Sequence, residues 1–265
     1  MNLYFLGIEN NLWSNSNNWG VIDGHPEEPP WWTVPSINDD VFFTANSRDC
    51  VQDNPTPPSI KSFNSTGYTN TLYIPTITIF VYGDITIGNQ TKLHPDNRAF
   101  VLQVSGNVTT NGVIIPSFRF GANGVVATLI DVLTTNAITI PPSLLAIGFA
   151  GNFGFITQLF SNDSPGACVI TLQAGITYTV KGLFSNNKVR GNAHASYVSS
   201  TVGTKAKLTV TGDAKIGYVD FTDIDASQGR TLYTFGGVVT NCLNINTMTD
   251  RILPTNTTVS SSRIS

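Results

Sequence analysis

Along this chain, apolar and polar residues alternate one for one in short runs. Thr76–Val81 reads T-I-T-I-F-V, Ala99–Val104 reads A-F-V-L-Q-V, Ile176–Val180 reads I-T-Y-T-V and Lys207–Thr211 reads K-L-T-V-T. Period two is the mark of a β-strand with one face buried, and the spacing expected of amphipathic helices is almost absent. Gly, Asn, Asp and Pro break the runs at short intervals, so the pattern predicts many short strands joined by tight turns. The fold class is all-β.

Glycine recurs in one context. Gly83 (Y-G-D-I), Gly106 (S-G-N-V), Gly151 (A-G-N-F), Gly182 (K-G-L-F) and Gly212 (T-G-D-A) each follow an apolar strand end, with spacings of 23, 45, 31 and 30 residues. If the interval of 45 holds two periods, the chain advances roughly 22 to 31 residues per turn, within the range of stacked repeats. A right-handed β-solenoid (β-helix) accounts for this, because each turn needs a corner where glycine costs nothing. Its interior would hold Ile85, Ile87, Leu102, Val104, Ile176, Tyr178, Val180, Leu208 and Val210. A β-sandwich or jelly roll, whose turns also use Gly-Asn and Gly-Asp, is the alternative.

The ends differ from the middle. Residues 1–60 are rich in Trp, Pro and Asn and read as an N-terminal cap or attachment segment. Residues 61–250 form the body of strands, and 251–265 a Ser/Thr/Asn-rich tail. Solenoids need such caps over their terminal repeats.

Composition narrows the function. Of 265 residues 41% are hydrophobic and only 12% charged, with a net charge of −3; soluble domains usually carry about 25% charged residues. The surface polarity must come from Ser, Thr and Asn, and with Lys and Arg scattered no basic stripe exists for nucleic acid. The N-terminus lacks the basic start and small-residue site of a secretory signal, and no apolar run reaches the ~18 residues of a membrane span. Cys50, Cys168 and Cys242 are odd in number and far apart, which predicts buried thiols instead of a disulfide framework or zinc site.

The opening segment carries Trp13, Asn18-Trp19, Pro35 and Asp39-Asp40-Val41-Phe42-Phe43, and a late segment reads G-Y-V-D-F-T-D-I-D-A-S-Q-G from Gly217 to Gly229, then G-G-V-V-T-N-C from Gly236. Together these resemble motifs of bacteriophage virion proteins (tail, fibre or decoration) and bacterial surface proteins with a right-handed β-helix. The resemblance implies that fold and subunits that are commonly trimeric. Without a signal peptide it points to a virion protein assembled in the host cytoplasm.

Catalytic groups are sparse. Asp39 and Asp40 are adjacent and cannot flank one glycosidic bond as paired carboxylates must; capping of the turn before Val41 is the reading they suit. Asp220, Asp223 and Asp225 form the densest acidic group. On one strand Asp223 and Asp225 would share a face, a weak calcium candidate beside the reading as turn carboxylates. Glu9, Glu27 and Glu28 all fall in the cap, and His25, His94 and His194 are isolated. No nucleophile elbow or phosphate loop occurs. The aromatics Trp13, Trp19, Trp31 and Trp32 are the interface or glycan-binding candidates; Trp13 and Trp19 suit sealing the end of the stack, and the Pro-flanked pair Trp31-Trp32 suits an interface.

The expectation is a non-enzymatic virion structural protein, a tail, fibre or capsid-decoration component acting through subunit packing. It needs no cofactor and no metal, binds no nucleic acid and does not insert into a membrane. Its partners are itself, as a homotrimer, and other virion proteins, with a host surface glycan as a further candidate. The alternative is a carbohydrate-binding adhesin or small polysaccharide-degrading tail spike.

Overall fold

The structure is a computed structural model that describes residues 1–25, 33–54, 58–74, 78–93, 101–104, 106–111, 113–120, 127–130, 133–140, 146–152, 154–162, 167–186 and 194–248. Among them the chain is all-β, and its one helical piece is a 3-10 turn, Ser16–Asn18. Two long sheets dominate. The first runs through Trp19–Gly20, Asn2–Phe5, Asp40–Phe42, Ser62–Asn64, Ile85–Thr86, Val108–Thr109, Ala127–Ile130, Ala146–Ala150, Cys168–Leu172, Ala195–Ser199, Val219–Thr222 and Val239–Thr240. The second runs through Ser59–Ile60, Thr78–Val81, Val101–Val104, Ile114–Phe120, Leu133–Ile140, Ile156–Asn162, Thr177–Asn186, Ala206–Val210 and Ile224–Asp225, with Asp213–Ile216 also paired to Thr177–Asn186. Beyond the antiparallel strand Trp19–Gly20, every pairing in both is parallel.

Strands of the two sheets alternate along the chain. A strand's parallel partner therefore comes from the next segment of the chain to return to the same sheet, because two parallel strands cannot be joined by a hairpin. The first part of the chain also contributes a third, smaller sheet of Cys50–Val51, Thr71–Tyr73 and Lys92–Leu93. The last part adds Leu232–Phe235 and Ile245–Met248, which pair in parallel with each other.

Register explains why the alternating pattern is so regular. In the first sheet Val41, Phe63, Ile85, Val108, Leu129, Phe149 and Leu172 stand opposite one another in succession. All are buried. In the second, Ile138, Phe160 and Phe184 form one row, with Tyr178 opposite Leu208 and Val180 opposite Val210. The rows of both sheets belong to one hydrophobic core. A one-residue slip would turn a whole row outward, and each large apolar side chain removed from water contributes about 1.5–3 kcal/mol.

Of the residues expected inside, Ile85, Ile87, Tyr178, Val180, Leu208 and Val210 are buried, and Ile176 is half-buried against the core. The side chains of Leu102 and Val104 lie outside the described ones.

Two irregularities have sequence causes. The pairing of Ile114–Phe120 with Leu133–Ile140 shifts between Ile115 and Ser117, where Pro116 has no N–H to give the ladder. The pairing of Ile156–Asn162 with Thr177–Asn186 shifts between Thr157 and Leu159, so that Lys181 and Gly182 together oppose Gln158. A Cβ on Gly182 would stand 2.4 Å from the Gln158 carbonyl oxygen, so only glycine fits this bend.

The segment expected as a cap supplies the first three strands of the first sheet, Trp19–Gly20, Asn2–Phe5 and Asp40–Phe42. Phe5, Trp13, Trp19, Phe43, Phe63 and Tyr68 pack ring against ring there. Asn18 holds the chain around them. Its Oδ1 accepts from the backbone N–H groups of Glu9 and Asn10, and its Nδ2 donates to Asn10 Oδ1 and the Leu12 carbonyl. Trp19 Nε1 donates to the Trp13 carbonyl at 2.8 Å, and Asn15 caps the 3-10 turn. The W-x-x-x-x-N-W spacing thus folds one polar knot under two indoles. The 251–265 tail lies outside the described residues.

Candidate functional site

The corner glycines fall into two stacked pairs and one outlier. A Cβ on Gly106 would lie 2.4 Å from the carbonyl carbon of Gly83, and one on Gly212 would lie 1.7 Å from the carbonyl oxygen of Gly182. Gly83 and Gly106 each sit where the chain passes from a strand of the second sheet to one of the first, whereas Gly182 lies within Thr177–Asn186 and Gly212 between Ala206–Val210 and Asp213–Ile216, all of the second sheet. Gly151 stands apart: it ends Ala146–Ala150 of the first sheet with a φ of 97°. Here glycine is needed for its left-handed backbone, whereas in the pairs it is needed for close approach.

Trp13 and Trp19 are buried in the N-terminal ring cluster and offer no binding face. Trp31 and Trp32 lie outside the described residues, as do Glu27, Glu28 and His94. His25 is exposed, and Glu9 accepts from the amides of Asn15 and Asn17, which lower its carboxyl.

The paired carboxylates turn to different work. Asp39 Oδ2 accepts from Ser36 N and Oγ at 2.9 and 2.6 Å, capping the turn before Val41, and Oδ1 faces the N-terminal ammonium at 3.4 Å. Partial burial pushes its carboxyl up, but the Ser36 hydrogen bonds and the ammonium outweigh that and hold it below the usual range. Asp40 accepts from Lys61 Nζ at 2.8 Å and Ser62 Oγ at 2.6 Å. Burial raises it and these two partners lower it, with a net fall.

The structure separates Asp223 from Asp225, which a single strand would have put on one face. Asp223 is a corner at φ 56° between Val219–Thr222 of the first sheet and Ile224–Asp225 of the second. One carboxylate oxygen accepts from Gly203 N at 2.9 Å and the other from the Asn241 side chain. Lys205 Nζ donates to Asn241 Oδ1 at 3.0 Å, so three segments of the chain, around Gly203, Asp223 and Asn241, are tied at this corner. Asp225 caps its own turn through Ser227 N. Among the described residues no three His, Cys, Asp or Glu side chains converge as a metal site would require.

One contact was not legible from spacing. His194 Nδ1 lies 2.8 Å from Asp220 Oδ1, and the same oxygen accepts from Val238 N. The residues are 26 apart in sequence but one rung apart in the sheet, since Ala195 pairs with Val219 and Ser196 with Asp220. The circuit length would have found the pair; local motifs could not.

The Gly203 and Asn241 hydrogen bonds lower the Asp223 carboxyl, and the Ser227 side chain and backbone lower Asp225. With Asp39 and Asp40 also depressed in the fold, the sign follows from linkage. The stability they contribute is complete above the unfolded value near ~4 and is lost as pH falls through the lower folded values. Thermal melts from pH 6 to pH 2 should therefore show a steep acid limb, and Asp223→Asn should flatten it by lowering the neutral melting temperature more than the acid one.

Cys50 and Cys168 are buried and Cys242 is half-buried, and none of the three forms a disulfide. Burial pushes the Cys50 thiol well up and also raises Cys242, which donates to the Thr240 carbonyl at 3.2 Å. Because the thiolate is the reactive form, native protein at pH 8 should release colour from Ellman's reagent slowly and only from Cys242. Cys50 and Cys168 should react on unfolding.

The class the fold and these groups define is an all-β protein of interleaved parallel sheets whose acidic side chains serve corners and turns. No family model matches the chain, and comparison with curated proteins and with solved structures finds no match either. No helix among the described residues is long and apolar enough to cross a membrane.

Proposed function

We propose that the two interleaved sheets are faces of a right-handed β-solenoid closed at its N-terminal end by the aromatic cluster, and that the protein is a non-enzymatic structural component of a bacteriophage virion. Its role is to pack against copies of itself and other virion proteins in a tail, fibre or capsid-decoration position. The observation that carries the reading is the use made of the acids. Asp39, Asp40, Asp223 and Asp225 each cap a turn or bridge neighbouring rungs. Each of these four carboxylates is already engaged by a hydrogen-bond donor of the fold, whereas hydrolysis of a glycan calls for a pair held free to flank the scissile bond. Side chains that a depolymerase would use for chemistry are used here for building.

The low charge supports the same reading, because neutral hydroxyl and amide faces pack against each other without repulsion. The test is co-purification. Particles banded from lysate should carry the chain in fixed stoichiometry, while the purified chain leaves a panel of surface polysaccharides uncut. Hydrolysis of any of them, or absence of the chain from washed particles, overturns the proposal.

A further inference from the structure

The final circuit ends in an edge with unusual chemistry. Val239–Thr240 closes the first sheet: it pairs with Phe221 and Thr222 on one side, and among the described residues no strand pairs with its other side. Phe221 N donates to the Val238 carbonyl at 2.8 Å and Asp223 N to the Thr240 carbonyl at 3.1 Å. Successive residues of a parallel strand turn their peptide groups to opposite sides, so Val239 directs its N–H and C=O away from the body. Proteins that must stay apart blunt such edges with charge, proline or a covering loop. From Thr231 to Met248 this chain has no charged residue at all.

Apolar side chains are exposed around the same edge. Val238 is 60% exposed and Leu243, three residues past Thr240, 48%, and Val202 is 94% exposed on the turn whose Gly203 binds Asp223. That turn is held firmly. Gly203 N donates to Asp223, Thr204 N to the Thr201 carbonyl, and Ser199 Oγ to the Thr204 carbonyl. A fully exposed valine on a pinned turn loses little further freedom when it is covered.

We infer that this edge is a self-association surface on which a second copy of the chain docks about a two-fold axis. The opposite end argues against head-to-tail stacking, because there the parallel ladder gives way to the antiparallel strand Trp19–Gly20, backed by the aromatic cluster. An edge meeting its own copy is antiparallel and self-complementary: Val239 faces its equivalent, and each N–H reaches the other's carbonyl. The edge strand carries no charge of its own, and the charged groups beside it, Asp220 on Val238 N and Lys205 on Asn241, are opposite in sign, so the edge meets its own copy without net like-charge repulsion. The inference rests on the self-packing reading above, but it can fail alone, since a chain that assembles through another face keeps its mass when this one is altered.

The experiment is light scattering on the full chain. At about 100 µM the particle should contain an even number of 28.5 kDa chains. Val238→Lys combined with Leu243→Lys should lower the mass twofold, with the far-UV spectrum and melting temperature kept, since both side chains are exposed. Val239→Pro, which removes only an outward N–H, should do the same and serves if the lysine pair disturbs folding. A monomer, an odd number of chains, or a mass unchanged in folded variants overturns the two-fold edge.

Discussion

Gly212→Ala should lower the melting temperature by about 10 °C or more, the largest effect expected from removing so little. The added Cβ would stand 1.7 Å from the carbonyl oxygen of Gly182 and 2.4 Å from that of Lys181. Both obstacles are backbone atoms of the neighbouring rung, which cannot rotate away as a side chain could. Relief requires the rungs to part at a point where Thr177–Asn186 pairs with Ala206–Val210 on one side of the bend and Asp213–Ile216 on the other. Overpacking of this severity costs roughly 3–5 kcal/mol, and for a chain of this size each kcal/mol moves the melting temperature by about 2–4 °C. Gly175→Ala is the control. Gly175 has a positive φ of 78° but open space around it, so it should lose only about 1–2 kcal/mol. Calorimetry of the two variants separates a crowded corner from a merely left-handed one.

Phe43→Ala should be comparably damaging for the opposite reason. Phe43 is 1% exposed and its ring lies 5.2 Å from Phe5 and Tyr68, 5.4 Å from Phe63 and 5.8 Å from Trp13. Truncating it opens a void among rigid rings that cannot collapse into the space, at a cost of about 3–5 kcal/mol. Trp13 and Trp19 border that void, so tryptophan emission should shift to the red in the folded variant as water reaches it. Tyr82→Ala, at a 46% exposed position, should change stability by only about 0.5 kcal/mol.

The strands with clear alternation were readable because their period is that of the pleat. Thr78–Val81 and Ala206–Val210 fall within a residue or two of the runs that predict them, and Tyr178, Val180, Leu208 and Val210 are all buried. The third sheet was invisible for want of length. Cys50–Val51 and Lys92–Leu93 have two residues each, too few to show any period. Asp223 and Asp225 misled for the same reason: a two-residue strand follows a left-handed corner, so the face a residue occupies depends on a bend that alternation does not encode.

The glycine motif shows where local reading stops. Gly151 and Gly106 both precede Asn after an apolar strand end, yet one is set by its own φ and the other by a backbone one circuit away. Contacts of that second kind, such as His194 with Asp220, require the circuit length before they can be drawn. Once the register is known they follow directly from it.

The proposed role, building a phage particle without chemistry of its own, is tested most directly by electron microscopy of phage particles carrying a labelled copy of the chain. Label at a fixed position on head, neck or tail, repeated from particle to particle, is the predicted result. Unlabelled particles beside a freely soluble labelled chain would contradict it.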